Sequence, residues 1–116
     1  MERFYWGWRD PDSGTAQVRV GDGGHKPHML PLRLDLDNHS PTGFEWGYGG
    51  SGPAQLALAI LADVLEDDAR AVRLHQQFKW RVIAGLNRTA RWYLTRRMVL
   101  DHVAAIEREQ ALRMVP

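Results

Sequence analysis

Apolar and polar positions alternate along three stretches of the first half of the chain and recur three and four residues apart in the second half. Phe4 to Arg9 is aromatic, with Trp6 and Trp8 on one face of an extended segment and Tyr5 on the other. Thr15 to Val20 sets Ala16, Val18 and Val20 against Thr15, Gln17 and Arg19. Between them, Asp10-Pro11-Asp12-Ser13-Gly14 carries turn chemistry: a fixed φ at Pro, side chains that bond local backbone, and a Gly free to take positive φ. The pattern predicts an antiparallel pair. After a glycine-rich connection, Leu30, Leu32, Leu34 and Leu36 alternate with Pro31, Arg33, Asp35 and Asp37. This predicts a half-buried strand from Met29, placed at an edge because Pro31 has no N–H to donate.

The second half reads as helices. Phe44, Trp46 and Tyr48 alternate with Glu45 and Gly47, which fits a short strand with an aromatic face on the core or an aromatic loop under the next helix. The strand is the preferred reading. Gly49-Gly50-Ser51-Gly52 breaks the alternation, and Pro53 suits a first helical position, where its missing N–H would be orphaned anyway. The helix from Pro53 to Leu65 is apolar on nearly every side, the mark of a buried central helix. A second helix over Ala69 to Ala84 puts Ala71, Leu74, Phe78 and Val82 on a core stripe and Arg70, Arg73, Gln77 and Arg81 outside, with Glu66 spaced to pair with Arg70. Gly85 ends it, Leu86 to Leu94 is read as a connection anchored by Trp92 and Tyr93, and Thr95 caps a third helix. The fold class is therefore α+β: a small antiparallel sheet of three or four strands packed on three helices. Residues 1–116 form one domain, strand-rich over 1–48, helical over 53–107, with a frayed polar tail over 108–116.

Composition narrows the chemistry. The 116 residues include no cysteine, which excludes a disulfide scaffold, a thiolate nucleophile and sulfur-ligated zinc. No apolar run approaches the roughly 20 residues of a membrane helix, so a cytoplasmic protein without membrane contact is expected. The net charge of +1 hides an asymmetry: residues 1–68 hold 5 Lys and Arg against 11 Asp and Glu, whereas 69–116 hold 10 against 3. Such halves either attract each other within the fold or mark an electrostatic partner, and the first is the preferred reading.

Four groups of residues invite a functional reading. Gly49, Gly50, Ser51 and Gly52 precede a helix N-terminus and so form a candidate anion site, although the Lys and Ser/Thr that complete a phosphate loop are missing. His39 and Ser40, preceded by Asp35 and Asp37, hold the components of acid–base chemistry, while His25 and His28 lack a third ligand nearby. No catalytic residue, metal ligand or cofactor is assigned on these patterns. Arg70, Arg73 and Arg81, with Trp80, Trp92 and Tyr93 interleaved among further arginines, form a basic aromatic surface of the kind that holds nucleic acid. Five tryptophans are many for this length, and those the core leaves over make an adhesive surface.

The run His39 to Leu61, HSPTGFEWGYGGSGPAQLALAIL, resembles a family of short bacterial proteins, also carried by phages and mobile elements, that is known only as a domain of unknown function. The resemblance extends through Ala71, Phe78-Lys79 and Trp92, covers most of residues 4–106, and carries over no activity or cofactor. It implies a small stand-alone domain. The resulting expectation is a non-enzymatic protein that binds another protein, for example as a mobile-element inhibitor of a host defence system such as CRISPR. His39, Glu45, Trp46, Tyr48, Arg70, Arg73 and Arg81 are the residues expected to meet that partner. The alternative is a nucleic-acid-binding accessory protein using the Arg-rich helical half. A third reading is a small-molecule or anion-binding enzyme at the glycine turn, and self-association into a homo-oligomer is a further expectation.

Overall fold

A computed structural model describes residues 2–24 and 26–114. The chain is α+β, as its patterning predicts: a four-stranded antiparallel sheet and three α-helices. The strands are β1 (Phe4–Arg9), β2 (Ala16–Gly21), β3 (His28–Met29) and β4 (Trp92–Thr95), in the order β3-β2-β1-β4. The predicted hairpin is present, with Tyr5 opposite Val20 and Gly7 opposite Val18. In its turn, the Asp10 side chain accepts from the Asp12 and Ser13 amides at 2.8 and 3.0 Å, and Gly14 takes φ 73°.

Helix α1 (Ser51–Leu65) is the centre of the molecule, with 12 of its 15 residues buried, so it is covered on all sides rather than laid on a surface. Its side chains meet Tyr5, Val18, Val20 and Leu94 of the sheet, Leu74 and Phe78 of α2 (Asp68–Arg81), and Val99, Val103 and Ile106 of α3 (Arg96–Arg113) in one core. Truncating a fully buried member such as Ile60 to Ala costs about 2–5 kcal/mol in core helices. Asp63 ties α1 to β1: it receives Arg3 Nε and Nη2 at 2.7 and 3.0 Å and the Tyr5 hydroxyl. Burial, reinforced by that carboxylate acceptor, pushes the Tyr5 phenol well above its ordinary range.

The starts of α2 and α3 follow local capping chemistry, whereas α1 begins at Ser51, two residues before Pro53, and α2 ends at Arg81, four residues before Gly85. Asp67 caps α2 by accepting from the Arg70 amide at 3.0 Å, and Thr95 caps α3 by accepting from the Met98 amide at 3.1 Å. α3 has buried residues as far as Ile106 and continues as helix to Arg113 through the first part of the tail over 108–116, where no residue is buried among those described. Arg70 turns away from the expected Glu66 to a bidentate contact with Glu107 of α3. Glu66 instead closes α1 in the left-handed region, at φ 51°.

Three local expectations are corrected. The Leu30 to Leu36 alternation does not make a strand beyond Met29; the backbone turns over residues 34–36 after Arg33 enters positive φ at 57°. Leu30 is buried and Leu32 and Leu36 are partly buried, so the alternation records core contacts of a loop. Phe44 to Tyr48 is likewise an aromatic loop under α1, not a strand. Conversely, the supposed connection Leu86 to Leu94 contains the edge strand β4, which pairs with β1 through Trp6 opposite Tyr93 and Gly7 opposite Trp92.

Candidate functional site: the outer face of the sheet

The strands alternate, so each presents two faces, and both faces of this sheet are aromatic. Inward lie Tyr5, Val18, Val20, Trp92 and Leu94, all buried. Outward lie Phe4, Trp6, Trp8, Gln17, Arg19 and Tyr93, all at least partly open to solvent, with no Asp or Glu among them. Phe4 stacks on Trp6 at 5.3 Å and meets Tyr93 at 5.7 Å, so three rings from two strands form one continuous patch. Gly21 lies beneath it: an added Cβ would stand 3.3 Å from the Phe4 ring, so the absence of a side chain lets the rings lie flat on the sheet. The Arg19 guanidinium lies 5.9 Å from the Trp8 ring centre. Trp6, Trp8 and Arg91 enclose an open hollow of about 230 Å³.

The glycine turn has a different character. Gly50 is the N-cap of α1 and provides no side-chain cap bond. A Cβ at Gly49 would stand 2.0 Å from the Trp80 ring, at Gly50 2.5 Å from the Tyr48 ring, and at Gly52 2.6 Å from the Glu45 side chain. Close packing against these three side chains therefore accounts for the glycines at 49, 50 and 52. Ser51 is exposed, and Lys79 Nζ donates to the Gly49 carbonyl at 3.3 Å.

The residues expected to meet a partner do not form one surface. Trp46 is fully buried, edge-on to Trp92 with ring centres 5.7 Å apart, and Arg9 stacks over it at 4.6 Å. Glu45 holds Arg9 through Oε1 and Oε2 at 2.6 and 3.2 Å. Tyr48 is exposed beneath the Arg88 guanidinium, 4.7 Å from its ring. Arg81 donates to Glu109 at 2.9 Å and to His102 Nδ1 at 3.3 Å; Arg73, more open, reaches Glu107 at 3.9 Å. The α2 arginines are thus turned toward α3. The ion pairs Arg3–Asp63, Arg33–Asp68, Arg70–Glu107 and Arg81–Glu109 each join groups within one charge half, so the asymmetry is not cancelled through these contacts.

His39 meets a residue that the sequence reading passed over: its Nε2 lies 3.0 Å from His75 Nε2, and 3.2 Å from Asp37 Oδ2. Ser40 instead donates its hydroxyl to the Gly43 carbonyl at 2.7 Å. Asp35 is held by Arg33 at 3.1 Å. A hollow of about 150 Å³ lined by Thr15, Ser40, Thr42 and Glu45 includes neither His39 nor Ser51. His25 lies outside the described residues. A signal for His75 was present, since it shares the Ala71, Leu74 and Phe78 stripe of α2.

The model of the Family of unknown function (DUF6166) matches residues 5–105. The chain belongs to that family. Its matched span runs from the second residue of β1 to within α3 and so takes in β2, β3, β4, the glycine turn and the His39–His75 contact. No curated protein and no solved structure matches the chain. Among the described residues, no helix is long and apolar enough to cross a membrane.

Proposed function

We propose that this member of the family is a non-enzymatic binding protein and that the outer sheet face around Phe4, Trp6, Trp8 and Tyr93 engages a protein partner. The observation that carries the reading is the combination of stacked, partly open aromatics with Arg19 and Arg91 and no carboxylate at the outward strand positions. Trp, Tyr and Arg dominate binding hot spots, and Asp, Glu and Lys are depleted at interface centres. Rings already packed on one another are rigid anchors that lose little conformational freedom on binding. Arg19 and Arg91 beside them, with no ion pair among the described residues, favour an acidic partner surface. Inhibition of a host defence protein is one role such a face would serve, since it requires association and no chemistry.

Single-stranded nucleic acid is the second reading. An aromatic four-stranded sheet face with flanking arginines suits base stacking, whereas the α2 arginines that first suggested nucleic acid are largely engaged by glutamates of α3. Affinity capture from a host lysate, with and without nuclease, separates the readings. The expected result is a stoichiometric protein that survives nuclease, is lost with a folded Trp6→Ala/Trp8→Ala/Tyr93→Ala variant, and is retained by Arg70→Ala/Arg73→Ala/Arg81→Ala. Loss with the arginine variant alone would overturn the assignment, and capture that vanishes with nuclease would favour nucleic acid.

A further inference from the structure

We propose that Asp37, His39 and His75 form a binding site for one divalent transition-metal ion of the zinc type, with two imidazole nitrogens and one carboxylate oxygen as ligands. The argument begins at His75. It is buried on the core stripe of α2, and its Nδ1 lies 2.6 Å from the Val72 carbonyl oxygen. A carbonyl only accepts, so Nδ1 carries the proton and Nε2 of the neutral ring presents a lone pair. An imidazole whose second nitrogen donates to a backbone carbonyl is oriented as metal-bound histidines are.

That lone pair faces two further ligand atoms. His39 Nε2 stands 3.0 Å from it, Asp37 Oδ2 stands 3.2 Å from His39 Nε2, and all three atoms lie within 4.8 Å of one another. Tetrahedral zinc with bonds of about 2.0–2.1 Å sets neighbouring ligand atoms roughly 3.3 Å apart. Two of the three edges are therefore within a few tenths of an ångström of that spacing. Hydrogen-bond bookkeeping points the same way. His75 Nε2 and Asp37 Oδ2 are both acceptors, and His39 Nε2 has at most one proton to offer between them. The Gln76 amide nitrogen, 3.4 Å from His75 Nε2, adds only a long contact. A cation satisfies all three lone pairs together.

The loop bearing two of the ligands is held from α1. Gln55, wholly buried, accepts the His39 and Ser40 amides at 2.8 and 3.1 Å on its carbonyl oxygen. Its amide nitrogen donates to the Leu32 and Asp37 carbonyls at 2.6 and 3.1 Å. One side chain thus spends its full hydrogen-bonding capacity on fixing the backbone at Asp37 and His39, and acts as a positioning residue. Asp37 is exposed and His39 partly so, which gives an ion a path from solvent and leaves a fourth position for water or a partner's side chain. Two nitrogens select zinc, cobalt or nickel over magnesium and calcium, which prefer all-oxygen sites. Once bound, the ion would staple the 30–48 loop to α2.

Calorimetric titration of the chelator-stripped protein with Zn²⁺, and visible spectroscopy with Co²⁺, test the site. One ion per chain is expected, with a four-coordinate Co²⁺ spectrum. Asp37→Asn, which preserves side-chain size, and His39→Ala, which leaves buried His75 in place, should each abolish stoichiometric binding. His28→Ala should not alter it. Gln55→Glu should weaken binding about 10- to 100-fold, as loss of an orienting partner does. Zn²⁺ at a hundredfold excess over Kd should raise Tm by roughly 10 °C in the parent and not in His39→Ala. Equal Zn²⁺ binding by the parent and a folded His39→Ala variant, no binding by the parent, or preferential binding of Mg²⁺ would each overturn the proposal.

Discussion

The two faces of the sheet use the same strands and similar residues to opposite ends. Inward, Tyr5 and Trp92 are locked in the core, Trp92 edge-on to Trp46 and Tyr5 bonded to Asp63, and Gly7 permits the lock: a Cβ there would stand 2.3 Å from Trp92 Nε1. Outward, Phe4 packs against Trp6 and Tyr93, Phe4 and Trp6 lie over Gly21, and all three rings remain partly open. Aromatic content alone therefore does not separate core from surface. What separates them is whether a helix stands opposite, and α1 stands opposite only one face.

Substitutions on the two faces should accordingly differ in kind. The largest effect is expected for Trp46→Ala in the inner core, a loss of about 3–5 kcal/mol in denaturant unfolding. Gly7→Val, which forces a side chain into the Trp92 ring, should cost about 1–3 kcal/mol or more and lower the thermal midpoint. Trp6→Ala and Trp8→Ala on the outer face should each cost only about 1 kcal/mol while removing partner capture. If the outer substitutions proved as destabilising as Trp46→Ala, the outer face would be core and its assignment as an interface would fail.

The smallest effects are those of pH. The folded state holds the Tyr5 phenol above its ordinary value of 10.0, through burial first and the Asp63 hydrogen bond second. Its contribution to stability is complete below pH 10 and is lost as pH rises beyond that value. Tyr5→Phe should flatten this alkaline decline in unfolding measured across pH. On the acid side, burial holds His75 and His102 below 6.5, and Arg70 holds Glu107 below 4.5. The histidine contribution is full above pH 6.5 and falls as pH drops below it; that of Glu107 follows as pH falls through its lowered folded value.

The legible parts of the fold were those written in local chemistry. The hairpin was announced by alternation and by Asp10 to Gly14, and the central helix by an apolar run behind Pro53 interrupted by just Gln55 and Asp63. The α3 cap was visible in Thr95. What escaped was set by distant partners. β4 is four residues long and becomes a strand only because β1 offers it an edge. Leu30 to Leu36 carries a strand's alternation, yet Gln55 draws the Leu32 and Asp37 carbonyls into a loop. The outer patch was half visible, since alternation set Trp6 and Trp8 together opposite Tyr5. Tyr93 joins them only through the β1–β4 register. His39 and Asp37 stood out as chemistry-bearing residues, whereas His75, 36 positions after His39, was visible only as a histidine on an apolar stripe.

The central claim, that the outer sheet face is where this protein meets its partner, is tested most directly by site-specific photo-crosslinking. A photoreactive phenylalanine analogue placed at Tyr93, on the outer face, is compared with one at Val72, exposed on α2. The expected result is a heavier covalent adduct from position 93 and none from position 72 in nuclease-treated lysate. An adduct from position 72 with none from position 93 would contradict it.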